Sequence, residues 1–208
     1  RGIYRYCSQK NEELNKVFDS IKGRTKLSSM RDIQRPLSEL VPKNNSVIDA
    51  IRIINRSHEN DFKVSEKEIN YIRDNGYEVF VNFTSAGYNT VEQNIEFAKF
   101  AKKVGLDVIY FGDTESVFTP AFVINAIEIC KSEGIEAGVH LHDKNGTAES
   151  LLDIAIEHGC RYTDATLLGL GGKWHDGNLS IEHILRKFGL NGGHELNKLK
   201  TDLIQQLI

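Results

Sequence analysis

The chain has 208 residues, 40% hydrophobic and 26% charged, with a formal charge of −3 at pH 7. That length can bury one sizeable core, and the near-neutral balance excludes the broad basic field that draws nucleic acid or anionic membrane. No apolar run reaches the roughly 18 residues that a membrane-spanning helix needs.

The chain opens on Arg1 rather than Met, which leaves a processed or missing start open. Cys7, Cys130 and Cys160 are odd in number and widely spaced. They read as reduced thiols rather than a disulfide framework, which points to the cytosol. Ile3 to Tyr6 reads as the end of a strand, and Gln9 to Ile21 as a helix. Val47 to Ile54 is the next strand candidate. Ser65-Glu-Lys-Glu68 has the spacing of a capping box and predicts a helix start.

From there a strand–helix unit repeats. Gly76 precedes Tyr77 to Phe83, Gly105 precedes Leu106 to Phe111, Gly134 precedes Ile135 to His142, and Gly159 precedes Cys160 to Leu167. The four glycines lie 25 to 29 residues apart. Each stands where a helix C-cap needs the left-handed conformation, and each following run is short, apolar and β-rich, as a buried parallel strand should be. Between them, Thr90-Val-Glu-Gln93 is a second capping box. Ile95, Phe97, Ala98, Ala101 and Val104 give its helix an apolar face. Thr119-Pro120 sets a capping hydroxyl before a proline at the first helical position.

Strands alternating with helices at this period predict parallel βαβ units, in a barrel or an open doubly wound sheet. No Gly-x-Gly-x-x-Gly closes a strand, so the dinucleotide-binding version has no specific support. In both folds ligands bind at the carboxyl ends of the strands.

The richest such end is Val139-His-Leu-His-Asp-Lys-Asn-Gly146. Side chains alternate along a strand, so His140 and His142 share a face. Two neutral imidazoles there can ligate one divalent ion; two hydrogen-bonded polar residues without a metal fit the spacing too. Asp113 and Thr114 close the preceding run, where they can face a metal or substrate, or form an Asx-type turn. The following unit runs from Asp164 to Asn178. Its Gly169, Gly171 and Gly172 allow close backbone approach to a ligand or simply a flexible connection. Asn178 can offer an oxygen to a metal or cap the next helix.

Gly112-Asp-Thr with Thr119-Pro120, His140-Leu-His-Asp143 with Gly146, and Asp164 with Gly-Leu-Gly-Gly172 and Gly-Asn178 resemble, in order and spacing, one lyase and synthase superfamily. It includes 3-hydroxy-3-methylglutaryl-CoA (HMG-CoA) lyase, isopropylmalate synthase and 4-hydroxy-2-oxovalerate aldolase. The resemblance covers roughly residues 76 to 200. It implies an α/β fold, a TIM (β/α)₈ barrel, with His140-x-His142 on its sixth strand, the whole of 1–208 forming a single barrel domain. It implies a divalent ion (Mg, Mn, Zn or Co) on His140, His142 and Asn178. Thr114, Asp113 and Gly171 are the implied substrate contacts. The implied reaction is cleavage of a 4-hydroxy-2-keto acid to pyruvate and an aldehyde through a metal-stabilised enolate.

The family's first strand ends in an Asp-x-Thr-x-Arg-Asp type motif that supplies another metal ligand and an arginine. This sequence holds no such motif, and Arg1 to Tyr6 resembles the end of the second strand. The chain is therefore expected to begin about one strand–helix unit late, and no residue is assigned as the catalytic base. Residues 184–199 resemble the aldolase branch, whereas Lys173-Trp-His175 stand where the acyl-CoA lyase branch carries a cysteine. An acyl-CoA lyase or Claisen-type synthase is the alternative within the superfamily. A catalytically inactive barrel serving binding or assembly is the alternative outside it. Expected partners are a small keto acid and, in a homo-oligomer, further copies of the chain, with neither nucleic acid nor membrane.

Overall fold

A computed structural model describes residues 26–33, 35–59, 61–171, 177–191 and 193–207. The strand and helix expected before residue 25 lie outside them, as do Cys7, Gly172, Lys173, Trp174 and His175. The strands are β1 (Ser28–Asp32), β2 (Ala50–Arg56), β3 (Glu78–Thr84), β4 (Val108–Asp113), β5 (Glu136–Leu141) and β6 (Tyr162–Thr163). The helices are α1 (Phe62–Asp74), α2 (Val91–Lys103), α3 (Pro120–Glu133), α4 (Ala148–Glu157), α5 (Ile181–Lys187) and α6 (Gly193–Leu207). Among the described residues no helix is long and apolar enough to cross a membrane.

All neighbouring strands are parallel, and their order in the sheet is their order in the chain. Right-handed crossovers that always step the same way put their helices on one face of the sheet. An open doubly wound sheet needs a reversal of strand order, and this sheet has none. The sheet also curls. Arg52 on β2 reaches the carboxylate of Asp164, just past β6, at 2.6 Å. In a flat sheet four strand spacings would hold those backbones roughly 19 Å apart. The result is the strongly bent arc of a TIM-type barrel.

Alternation sorts the strand residues into two layers. Ile53, Val81, Phe83, Ile109, Phe111, Val139 and Leu141 are buried on the outer face, beneath the helices. Phe83 stacks on Phe97 of α2 with centroids 4.0 Å apart, and Phe111 meets Phe122 of α3 edge-on at 6.2 Å. The other parity faces the inside of the arc. There Ile54, Asn82, Tyr110, Gly138 and Tyr162 stand in register across five strands.

Local chemistry sets most element ends. Gly76, Gly105, Gly134 and Gly159 all take positive φ after their helices. Thr90 and Gln93 form a reciprocal capping box on α2, and Thr119 caps α3 with Pro120 at its first position. The capping box expected at Ser65 and Glu68 is not one. Asp61 caps α1, accepting from the amides of Lys63 and Val64, and Ser65 lies inside the helix, where its hydroxyl accepts from Asn55 Nδ2 at 2.8 Å. Glu68 is buried as well, ion-paired with Arg31 of β1 at 2.6 Å. β1 has no apolar run to announce it. The strand expected over residues 160–167 shrinks to Tyr162–Thr163 and a single bridge between Thr166 and Ser180.

Candidate metal centre

His140 lies on the inner face of β5, one register step beyond Tyr110 and Gly138. His142 follows it at the strand's carboxyl end, and its backbone bridges to Asn178. The two rings meet edge-on, with Nε2 of one 3.2 Å from Nε2 of the other. Two nitrogens bound to one ion at ordinary zinc–imidazole distances stand about 2.9–3.4 Å apart. The pair has the spacing of ligands that share a cation, and equally that of a hydrogen bond between the two rings.

On its other side, His140 Nδ1 lies 2.8 Å from Asp164 Oδ2. An ionised carboxylate only accepts hydrogen bonds, so Nδ1 carries a proton, and in the neutral imidazole that leaves the lone pair on Nε2. Burial alone would push the Asp164 carboxyl up. The hydrogen bonds from His140 and Arg52 outweigh it and hold the group below its ordinary value. Arg52 lies with its guanidinium carbon 3.7 Å from the centre of the Tyr110 ring. Tyr110 in turn lies against Gly138, where a Cβ would come within 2.6 Å of the ring. A glycine is required there for the ring to occupy that space.

Asn178 stands next to His142 through that backbone bridge. Its Nδ2 donates to the Leu170 carbonyl at 3.2 Å, and its Oδ1 is buried with no hydrogen-bond partner among the described residues. Ser180, not Asn178, caps α5. Gly171, at φ +102, leaves room for the Asn178 amide, which a Cβ there would meet at 2.9 Å. Its role is thus visible as clearance for a neighbouring side chain. Among the described residues no three of His, Cys, Asp and Glu converge on one point. The groups available as donors here are the two imidazoles, with the buried amide oxygen of Asn178 on the strand-end bridge beside them. Such a set fits a divalent ion with open positions, because a buried oxygen without a hydrogen is costly unless a cation or donor meets it.

Asp113 does not face this centre. It shares the parity of Phe111, so it points into the helix layer, fully buried. Its Oδ1 accepts from the amides of Val117 and Phe118, which makes it the holder of a turn, and burial raises its carboxyl to about 6. Thr114 is half-buried at the rim, and its hydroxyl accepts from the Ser85 amide at 2.8 Å. Beside it a polar cavity of about 260 Å³ opens between His58, Ser85, Tyr88, Asn89, Gln93 and Glu115.

The sequence reading passes over Arg52, Tyr110 and Asn82, and gives Asp164 no role. One signal is present in retrospect. Arg52 interrupts the apolar run Ala50-Ile-Arg-Ile-Ile54 at an inner position. Asn82, also inner, is buried, and a Cβ on Gly112 would lie 3.2 Å from its Oδ1. Cys130 and Cys160 are buried free thiols, both pushed up by burial and far from nucleophilic.

Known proteins share this arrangement of elements. The HMGL-like family model matches residues 44–207. Over 164 residues the chain is 28% identical to (R)-citramalate synthase of Sulfolobus acidocaldarius, covering 74% of this chain and 31% of that protein. Over 154 residues it is 27% identical to 4-hydroxy-2-oxovalerate aldolase of Carboxydothermus hydrogenoformans, covering 73% of this chain and 46% of that one. The fold matches HMG-CoA lyase of Bacillus subtilis with a TM-score of 0.71 at 19% identity, over 91% of this chain and 74% of that one. The chain spans less than half the length of these two curated relatives. A six-stranded parallel arc with paired histidines at its carboxyl ends, matched from residue 44 to residue 207, belongs to the HMGL-like family.

Proposed function

We propose that His140, His142 and Asn178 hold a divalent cation and that the chain carries the site of a carbon–carbon lyase of the aldolase type. The observation that carries this reading is the pair of Nε2 atoms 3.2 Å apart, with Asp164 against the far nitrogen of one ring. The substrate is a 4-hydroxy-2-keto acid. The 4-hydroxyl gives its proton to a base, the bond between carbons 3 and 4 breaks, an aldehyde departs, and the electron pair is left as an enolate that takes up a proton at carbon 3 to give pyruvate. A divalent ion held here would supply positive charge to offset the negative charge that grows on the keto oxygen.

The chain's own residues do the rest of the positioning. Asp164 orients His140, Gly171 clears space for the Asn178 amide, and Thr114 stands at the rim for the keto acid. The similarity to a 4-hydroxy-2-oxovalerate aldolase supports this branch. The similarity to a citramalate synthase supports the alternative of Claisen-type chemistry on an acyl-CoA.

The test is a coupled pyruvate assay over several 4-hydroxy-2-keto acids with Mn²⁺, beside an assay for free CoA from acyl-CoA substrates. Pyruvate release is expected, with His142→Ala lowering turnover at least 100-fold, on the order of a lost metal. His142→Ala should also abolish the rise in melting temperature that saturating Mn²⁺ gives the intact protein. CoA release without pyruvate moves the chain to the synthase or acyl-CoA lyase branch. Silence in both assays with Mn²⁺ bound leaves a binding module.

A further inference from the structure

We propose that Arg52 is a positioning residue for His140, acting through Asp164 to keep the imidazole in the tautomer whose bare Nε2 faces His142. The inference deepens the metal reading above and rests on it for its affinity arm only.

The problem it addresses is geometric. Asp164 follows a strand of only two residues, Tyr162–Thr163, and its amide donates to the Val139 carbonyl at 3.2 Å, contacts that hold its backbone but leave the rotation of its carboxylate unset. A carboxylate free to turn away from Nδ1 would release the proton to sit on Nε2, where it blocks a cation. Arg52 Nη1, at 2.6 Å from that carboxylate, removes the freedom. Arg52 is itself held. Its guanidinium rests on Tyr110 at 3.7 Å, and Tyr110 occupies space that only Gly138 leaves open. The support runs without a gap from Gly138 through Tyr110, Arg52 and Asp164 to His140.

Simple core filling does not account for an arginine here. Its side chain is 11% exposed, and Nε and Nη2 have no hydrogen-bond partner among the described residues. An apolar side chain of similar shape would avoid that desolvation cost. The fixed planar fork and its stacking on an aromatic face are properties that lysine lacks.

The test uses the full chain. Long-range ¹H–¹⁵N NMR without metal reads the His140 tautomer, and electron paramagnetic resonance of free Mn²⁺ reads affinity. Wild type should show proton on Nδ1. Arg52→Gln and Asp164→Asn should both lose that signature and weaken Mn²⁺ binding about 10- to 100-fold, as loss of an outer partner of a metal-binding histidine does. The double variant should bind no more weakly than Asp164→Asn alone, because both act on one link. Arg52→Lys should recover only part of the loss. If Arg52→Gln lowers the melting temperature while tautomer and affinity stay within twofold of wild type, Arg52 is packing and the proposal is overturned. If Arg52→Gln does not fold, Asp164→Asn decides, since Arg52 and Tyr110 remain; an unchanged tautomer there also overturns it. If wild type binds no Mn²⁺, the metal reading fails, and the NMR arm still decides the link from Arg52 to His140.

Discussion

Asp113 is fully buried, with Oδ1 receiving the Val117 and Phe118 amides and Oδ2 without a partner among the described residues. Its carboxyl is raised to about 6, against roughly 3.9 in an unfolded chain. The sign follows. Below about pH 4 both states are protonated and the group is neutral in its effect. As pH rises past 6 the unfolded state has gained by ionising early, so Asp113 weakens the fold fully at neutral pH. Asp113→Asn keeps the accepting oxygen and removes the charge. Without metal it should melt roughly 5 °C above wild type at pH 7.5, with the difference vanishing near pH 4. Differential scanning calorimetry across that range checks it, and an equal gain at both ends rejects the account. Asp164 runs the other way: its lowered value adds stability at neutral pH that disappears as pH falls below about 4. His140 and His142 were legible from sequence because period-two alternation alone sets their common face. The direction of Asp113 was not, because a motif beside a strand end does not say which side of the sheet its first residue serves.

Helix starts were readable where the cap lies next to the run it serves. Thr90 and Thr119 do so; at α1 the spacing points to Ser65, whereas the structure caps the helix with Asp61. Ser65 is the residue that the spacing favours, yet its hydroxyl bonds to Asn55 in the core. The two roles separate in a peptide covering residues 59–75. There Asp61→Ala should lower helicity, at a cost of about 1 kcal/mol, whereas Ser65→Ala should raise it, since alanine is the better helix former. In the intact protein both changes should lower the melting temperature, the second through the lost Asn55 contact. Circular dichroism reads both, and a peptide that loses helicity with Ser65→Ala restores the capping box. β1 escaped notice for a related reason. Its buried Arg31 is met by Glu68 of α1 and by the carbonyls of Arg35 and Pro36, and a strand stabilised by a partner 37 residues away carries no apolar signature of its own.

The arc as a whole was legible as repeated βα units, since glycines at intervals of 25 to 29 residues mark each turn of the repeat. Its curl was not, because curl shows only in contacts that cross the inside. The Arg52–Asp164 bond joins residues 112 positions apart, whereas neighbouring strands pair across intervals such as the 28 residues between Ala50 and Glu78. That gap bears on the order of events in folding. Closing a long loop costs entropy that is recovered only once its ends meet. Adjacent strands can pair early, but His140 acquires its fixed orientation only after β2 through β6 have joined and bent. Recovery of cation binding should therefore lag recovery of secondary structure. In a refolding experiment, Mn²⁺ capture should follow the slowest phase, while far-ultraviolet ellipticity returns sooner. Simultaneous recovery of the two signals would show that the site is assembled by the neighbouring strands alone.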